Sequence, residues 1–299
     1  MGLKIALPDR SMQDRILTLV LGAGLIDSTE TDRNLVLRSS WPGAEEIGLN
    51  RPQETPIDVR DGRTHLGFTG HDWLAEQDVG DLPIVLELPM GRKLDQPVRL
   101  VLAVAEESGW RNLRDLPKGA RLATEYLHLA RGYCARYDRS DIEVVLSYGN
   151  TETKIRRGRA EAIIDVYETG DSYTDNRLAV IDELMQSSTI LIANPAAYED
   201  PELRPLIDFF VKCIEGAWLT DRYIMLAANI PWSVQDEAAK VMGGMKGPTI
   251  SPIHGNKDWV SMTSCIKKSD KLRIEEALVR LGAEHIVPWA IQPGMGFSV

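Results

Sequence analysis

The strongest constraint on the fold lies in the last eighty or so residues, where the apolar pattern switches repeatedly between the periods of strand and helix. Tyr223–Ile230 reads as a strand, and Ser233 is placed to cap a helix running to Met242. Thr249–Ile253 and Trp259–Ile266 read as two strands joined by His254-Gly255-Asn256-Lys257-Asp258. Ser269 is expected to cap a second helix with Ile274, Ala277, Leu278 and Leu281 on one face and Gly282 beyond its end. His285–Ile291 closes the set. The order β-α-β-β-α-β is the ferredoxin-like split βαβ. Its helices cover one face of the sheet and leave the other for a neighbour or a ligand.

The rest of the 299 residues reads as an α/β body. Leu3–Leu7 is a short apolar run ended by Pro8, and a helix follows with Ile16, Leu19, Val20 and Ala23 on one face. Leu66–Phe68, Ile84–Leu88 and Val98–Ala105 are further strands. From Arg121 strands and helices alternate: Arg121–Thr124, then helix to Tyr137, Ile142–Leu146, a short helix over Thr151–Arg157, and Ala162–Tyr167. This alternation implies βαβ units and a parallel sheet. A return through Thr189–Ala193, followed by a helix over Pro201–Leu219, predicts two lobes, 1–97 with 185–220 and 98–184, ahead of the tail 221–299.

Composition removes several classes of function. A formal net charge of −10 offers no basic face for nucleic acid, so any anion must be held by local groups. Cys134, Cys213 and Cys265 are far apart and odd in number, without a Cys-x-x-Cys pair, so neither zinc nor a disulfide framework is expected. No apolar run approaches the ~18 residues of a membrane span. The N-terminus runs straight into structure without a signal-peptide apolar region, and the chain is expected in the cytoplasm. Trp218, Trp232, Trp259 and Trp289 are more apolar surface than so small a tail easily hides, so a homo-oligomer is expected.

Chemistry concentrates between Gly158 and Tyr173. Ala162-Ile163-Ile164-Asp165-Val166-Tyr167 is a buried strand carrying an acid, followed by Glu168-Thr169-Gly170-Asp171-Ser172-Tyr173 and an expected helix through Thr174–Leu178. In an α/β sheet that turn lies at the carboxyl ends of the strands, where ligands bind. The N–H groups of Thr169–Ser172 then face an anion, and the two hydroxyls add donors. A plain turn in which Gly170 only relieves strain stays open on the loop alone. Asp165 is the firmest candidate, because an acid on a buried strand costs free energy unless it is used.

These residues resemble the long form of ATP phosphoribosyltransferase, the first enzyme of histidine biosynthesis. The family's loop, approximately D-A-I-x-D-x-x-x-T-G-x-T-L, is similar to Glu161–Tyr173 here. Its G-x-x-E matches Gly149-Asn150-Thr151-Glu152, and its N-x-L matches Asn176-Arg177-Leu178. Arg51-Pro52 with Glu54 resembles R-P-x-D, Leu66–Asp72 resembles F-G-I-T-G-x-D, and Arg121–Tyr126 resembles R-I-A-T-x-Y. Pro248–Pro252 and Trp259-Val260 match the regulatory domain. The resemblance implies a two-lobed body like that of periplasmic binding proteins, with a C-terminal ferredoxin-like regulatory domain. It implies attack of adenine N1 of ATP on C1 of phosphoribosyl pyrophosphate, Mg²⁺ on the pyrophosphate, inhibition by histidine, and dimers or hexamers. By matching, Glu168–Tyr173 hold the ribose 5-phosphate, and Asp165 contacts ribose hydroxyls. Arg10 and Arg51 face pyrophosphate or nucleotide phosphates, Glu152 faces base or ribose, and Thr69, Gly70 and Asp72 face the nucleotide.

The pattern is broken in places. Asp9-Arg10-Ser11-Met12 stands where the family has approximately N/P-K-G-x-L, and His65 replaces an acid. Glu168 and Asp171 add negative charge beside the phosphate, and Tyr173 replaces a leucine-like residue. Plain alternatives also stand: Arg10 and Arg51 as surface arginines, Glu152 as a helix cap, Thr69-Gly70 as an ordinary turn. A paralogue using another nucleophile, or a catalytically silent ligand-sensing subunit, remains the competing reading.

Overall fold

A computed structural model describes residues 2–292, so residues 293–299 of the expected tail domain lie outside it. The chain forms two compact units, one from the residues up to Thr18 with Asp27–Asp208, the other from Leu19–Ile26 with Phe209 onward. No described helix is long and apolar enough to cross a membrane.

The first unit contains two five-stranded sheets. In the first, strands β1 (Leu3–Pro8), β2 (Ala44–Asn50), β3 (Leu66–Gly70) and β4 (Ile84–Leu88) are joined by a return strand, β10 (Thr189–Ala193), in the order β2-β1-β3-β10-β4. Helices α1 (Gln13–Gly22), α2 (Thr55–Arg60) and α3 (His71–Gln77) follow β1, β2 and β3. Helix α2 packs closely on β3 because residue 67 is glycine: a Cβ there would meet Thr55 Cγ2 at 2.3 Å and Val59 Cγ2 at 3.0 Å.

The second sheet has the order β7-β6-β8-β5-β9, from β5 (Val98–Ala105), β6 (Arg121–Thr124), β7 (Glu143–Leu146), β8 (Ala162–Tyr167) and β9 (Leu178–Ser187). Helices α4 (Leu127–Arg136), α5 (Thr153–Arg156) and α6 (Asp171–Asp175) complete this lobe. Leu100, Leu102, Val104, Leu122 and Ile164 pack on one face and Val101, Ala103, Ala123 and Ile163 on the other, which is why these strands read as continuous apolar runs. Neither sheet is wholly parallel as expected. Strand β10 runs antiparallel to β3 and β4, and β5 antiparallel to β8 and β9. The expected helix through Leu178 is also corrected: α6 ends at Asp175, and Leu178 opens the ten-residue β9. As an edge strand with acids at Asp182 and Glu183, β9 carries no clean alternation to betray it. It keeps residues through Ser187 in the sheet of the second lobe, where Ser187 pairs with Val98.

Helices α7 (Pro195–Glu199) and α8 (Arg204–Arg222) follow β10. The second unit carries β11 (Tyr223–Pro231), α9 (Gln235–Met242), β12 (Thr249–Ile253), β13 (Asn256–Lys267), α10 (Lys271–Arg280) and β14 (Glu284–Trp289). The sheet order β12-β13-β11-β14, antiparallel throughout, is the ferredoxin-like arrangement. Leu226, Ala228, Ile230, Val260 and Met262 meet Ala238, Met242, Ile274 and Leu278 from the helices. Ser233 and Ser269 do not cap these helices. Each lies within a 3-10 turn, Trp232–Val234 or Lys268–Asp270, and the cap positions fall on Val234 and Asp270 without side-chain bonds. The tight turn feeds the chain into the helix through backbone bonds instead.

Candidate active site

In the second lobe three parallel strands end side by side, with Thr124 opposite both Leu146 and Ile164. The segments leaving their carboxyl ends carry Glu125, Gly149–Glu152 and Asp165–Gly170. After β8 the chain turns at Gly170, whose φ of +83° is the left-handed conformation that glycine adopts without strain. A Cβ at this position would also meet the Tyr167 hydroxyl at 2.6 Å. The turn leaves the N–H groups of Thr169–Ser172 without a backbone or side-chain acceptor among the described residues. Tyr173 is buried against Tyr167 in an edge-on ring contact with centroids 4.9 Å apart, and its hydroxyl has no partner among the described residues. Burial pushes that phenol up.

Glu168 is engaged by the chain between β4 and β5. Its carboxylate accepts the N–H groups of Lys93 at 2.7 Å and Leu94 at 2.8 Å. The acid serves as an anchor for that chain. Asp165 is pushed up to about 7, chiefly by burial, against the opposing Val166 N–H and Arg92, while Glu152 and Glu125 repel it further. Glu125 accepts the Gly149 N–H at 2.9 Å, tying two strand ends together. Glu152 stands at the start of α5 but makes no capping bond, so capping does not explain it.

In the first lobe, β1 and β2 bring Asp9, Arg10 and Arg51 together. The Asp9 carboxylate lies 3.8 Å from both Arg10 Nε and Arg51 Nε. With the family's glycine absent, Arg10 itself adopts φ +67°, a conformation costly for a residue with a Cβ, and its side chain is 70% exposed. His65 takes the place of the expected acid by accepting the Lys4 N–H at Nδ1, 3.1 Å away, and burial pulls its pKa down.

Thr69 and Asp72 are placed otherwise than expected. The Thr69 hydroxyl donates inward to the Pro52 carbonyl at 2.8 Å. Asp72, only 5% exposed, accepts the Tyr126 hydroxyl at 2.6 Å and the Ser187 hydroxyl at 2.7 Å. Trp73 stacks on Tyr126 with centroids 4.3 Å apart, and Glu76 accepts the His128 and Leu129 N–H groups at the start of α4. Helix α3 of the first lobe is thereby clamped to α4 of the second. Asp72 lines the space between the lobes, but the polar side-chain atoms of both Thr69 and Asp72 are committed to the protein. Arg92, which the sequence reading passed over, faces the same space.

The class so defined is a two-lobed α/β protein with a loop of open backbone donors at the strand ends of one lobe and arginines at those of the other. Comparison narrows it. The family profile for ATP phosphoribosyltransferase matches residues 51–216, and the profile for the family's C-terminal domain matches residues 220–293. An ATP phosphoribosyltransferase of Geotalea daltonii is 34% identical over 97% of both chains. That of Desulforudis audaxviator is 34% identical over 97% of this chain and 98% of its own. Among solved structures, an ATP phosphoribosyl transferase (HisG:HisZ) complex from Thermotoga maritima shares the fold with a TM-score of 0.60 at 22% identity, over 73% of this chain and 98% of that one. The chain belongs to the ATP phosphoribosyltransferase family, which catalyses the first step of histidine biosynthesis.

Proposed function

We propose that the adenine N1 lone pair of ATP attacks C1 of phosphoribosyl pyrophosphate in this cleft. The N1–C1 bond forms as the C1–O bond breaks, and the electron pair leaves on pyrophosphate. The observation that carries this reading is the pairing of unfilled N–H donors at Thr169–Ser172 with the Asp165 carboxylate on the preceding strand. The loop N–H groups take the 5-phosphate, with Asp171 and Ser172 at its rim, and Asp165 accepts the ribose hydroxyls. Glu152 lies on the base or ribose side, and Arg10 and Arg51 attract pyrophosphate or the nucleotide phosphates. Thr69, Gly70 and Asp72 form the wall behind the nucleotide. The transition state resembles an oxocarbenium ion with a departing polyanion, so positioning and fixed charge supply the catalysis and no covalent nucleophile is needed.

Among the described residues no three His, Cys, Asp or Glu side chains converge to hold a metal by themselves. The mutual repulsion of Glu125, Glu152 and Asp165 nonetheless suits a cation carried on the substrate's own phosphates. Mg²⁺ bound there would neutralise the leaving pyrophosphate. The same reading makes the enzyme cytoplasmic, a dimer or hexamer, and inhibited by histidine through its tail.

The test is pyrophosphate release from phosphoribosyl pyrophosphate with ATP, set beside a panel of other bases and heterocycles. Release with ATP alone is the expected result. Faster release with another acceptor would identify a paralogue of different substrate. No release with any acceptor, together with ligand binding, would identify a sensing subunit.

A further inference from the structure

The chain between β4 and β5 is the part of the cleft that the proposed roles leave unused. Met90-Gly91-Arg92-Lys93-Leu94-Asp95 folds back on itself, with the Gly91 N–H donating to the Leu94 carbonyl at 3.0 Å. The first lobe grips it through Arg15 of α1, which donates to the Leu94 carbonyl at 2.7 Å and the Gly91 carbonyl at 3.3 Å and pairs with Asp95. Thr189 of β10 donates both its N–H and its hydroxyl to the Met90 carbonyl, each at 3.1 Å. The second lobe grips it through Glu168, bound to the N–H groups of Lys93 and Leu94. The packing leaves no room at Gly91, where a Cβ would meet Glu168 Oε1 and Val98 Cγ1 at 2.5 Å. A short loop fixed from both lobes is a rigid mount, and what it mounts is Arg92.

Arg92 lines the space between the lobes with Ser11, Asp72 and Ser187. Burial works against its charge, but Tyr126, Asp72, Asp165 and Glu125 outweigh that and hold it protonated. None of these groups closes on it. Asp72 is taken by Tyr126 and Ser187, Glu125 by the Gly149 N–H, and Asp165 by the Val166 N–H at 2.8 Å. Arg92 has neither a hydrogen bond nor an ion pair from its side chain among the described residues. A guanidinium presents five N–H donors in a planar fork. Arg92 is half-buried, so these donors stay open to solvent and to a ligand, and phosphate oxygens match the fork two at a time.

We propose that Arg92 binds the pyrophosphate group of the sugar donor and so contacts the leaving group of the transfer. The proposal rests on the phosphoribosyl-transfer reading. The 5-phosphate has its own donors at Thr169–Ser172, and Arg10 and Arg51, facing pyrophosphate or the nucleotide phosphates, stand on the opposite lobe. The pyrophosphate leaves C1 beside Asp165, in a space lined by carboxylates that repel it. Arg92, whose charge acts on both Asp165 and Glu125, supplies a fixed cation on that side of the site with its donors open.

Calorimetry on the full chain would measure pyrophosphate, phosphoribosyl pyrophosphate and ATP separately, for the parent, Arg92→Lys and Arg92→Gln. Arg92→Gln should weaken pyrophosphate and phosphoribosyl pyrophosphate by roughly tenfold or more, leave ATP within about twofold, and raise the KM for the sugar donor. Arg92→Lys should recover part of the loss, because it keeps the charge without the fork. Retained ATP binding separates a lost contact from a lost fold. Parent-like binding of pyrophosphate and donor by Arg92→Gln, or loss of ATP affinity with it, would overturn the proposal and leave the transferase reading intact. A parent that binds neither pyrophosphate nor donor would overturn both.

Discussion

At the scale of single residues, Asp165 sets function against stability. Burial, with Glu152 and Glu125, raises its carboxyl from 3.8 to about 7. A folded value above the unfolded one means that the fold binds an extra proton between the two. The destabilisation is therefore fully present above about 7 and relieved as the pH falls towards 3.8. Asp165→Asn should stabilise the fold at pH 8, by ~2 kcal/mol in urea denaturation after allowing for screening of a partly exposed group, and do nothing at pH 4. The same variant should lose roughly 10- to 100-fold in donor affinity, the worth of hydrogen bonds to a charged group. Donor affinity of the parent should also fall as the pH drops below about 7, because the protonated carboxyl accepts ribose hydroxyls poorly. Parent-like donor binding by Asp165→Asn would contradict its assigned contact. The candidacy of Asp165 was legible because an acid on an apolar strand is conspicuous in any sequence. Arg92 was not, since nothing in Gly91-Arg92-Lys93 tells which of two adjacent cations faces inward. That distinction comes from Arg15 and Glu168, which are distant in the chain.

At the scale of elements, the turn from β8 to α6 is the piece on which the donor reading depends. Its glycine was readable as a turn signal, but the disposal of Glu168 was not, because only the fold brings Lys93 and Leu94 beneath it. Strand β9 was hidden for a related reason. Its stability comes from pairing with β5 and from the Tyr137 hydroxyl reaching Asp182 at 3.2 Å, not from a local apolar pattern. The serine caps failed more simply, since a 3-10 turn displaced each by one residue. Gly170→Ala tests the turn directly. The left-handed backbone should cost ~1–2 kcal/mol, and the new methyl must displace the Tyr167 hydroxyl. Donor affinity should fall while ATP affinity is kept. Equal loss of both in calorimetry would mean that the turn supports the whole cleft and not the phosphate alone.

At the scale of the molecule, the one-sided tail offers a surface for the proposed assembly. Leu226, Ala228 and Ile230 of β11 face the helices, so Met225, Ala227 and Asn229 lie on the opposite face. There Met225 is opposite Trp289, and Ala227 is opposite Val287. Trp289 and Val287 are exposed, and across the sheet Met225 also pairs with Cys265. An uncovered apolar sheet face of this kind is stabilised by covering it with a second copy. Val287→Asp would place a charge on the edge strand of that face, where desolvation against a second copy without a partner is costly. In light scattering the parent should be a dimer or larger, and Val287→Asp should shift it towards the monomer at micromolar concentration. If histidine binds between tails, the substitution should also weaken histidine binding in calorimetry, with a coupling of ~1–3 kcal/mol separating inhibited from active states. Histidine binding retained by a fully monomeric Val287→Asp would place the effector within one tail. A parent that is monomeric at every concentration would leave the uncovered face without a partner and remove the case for assembly.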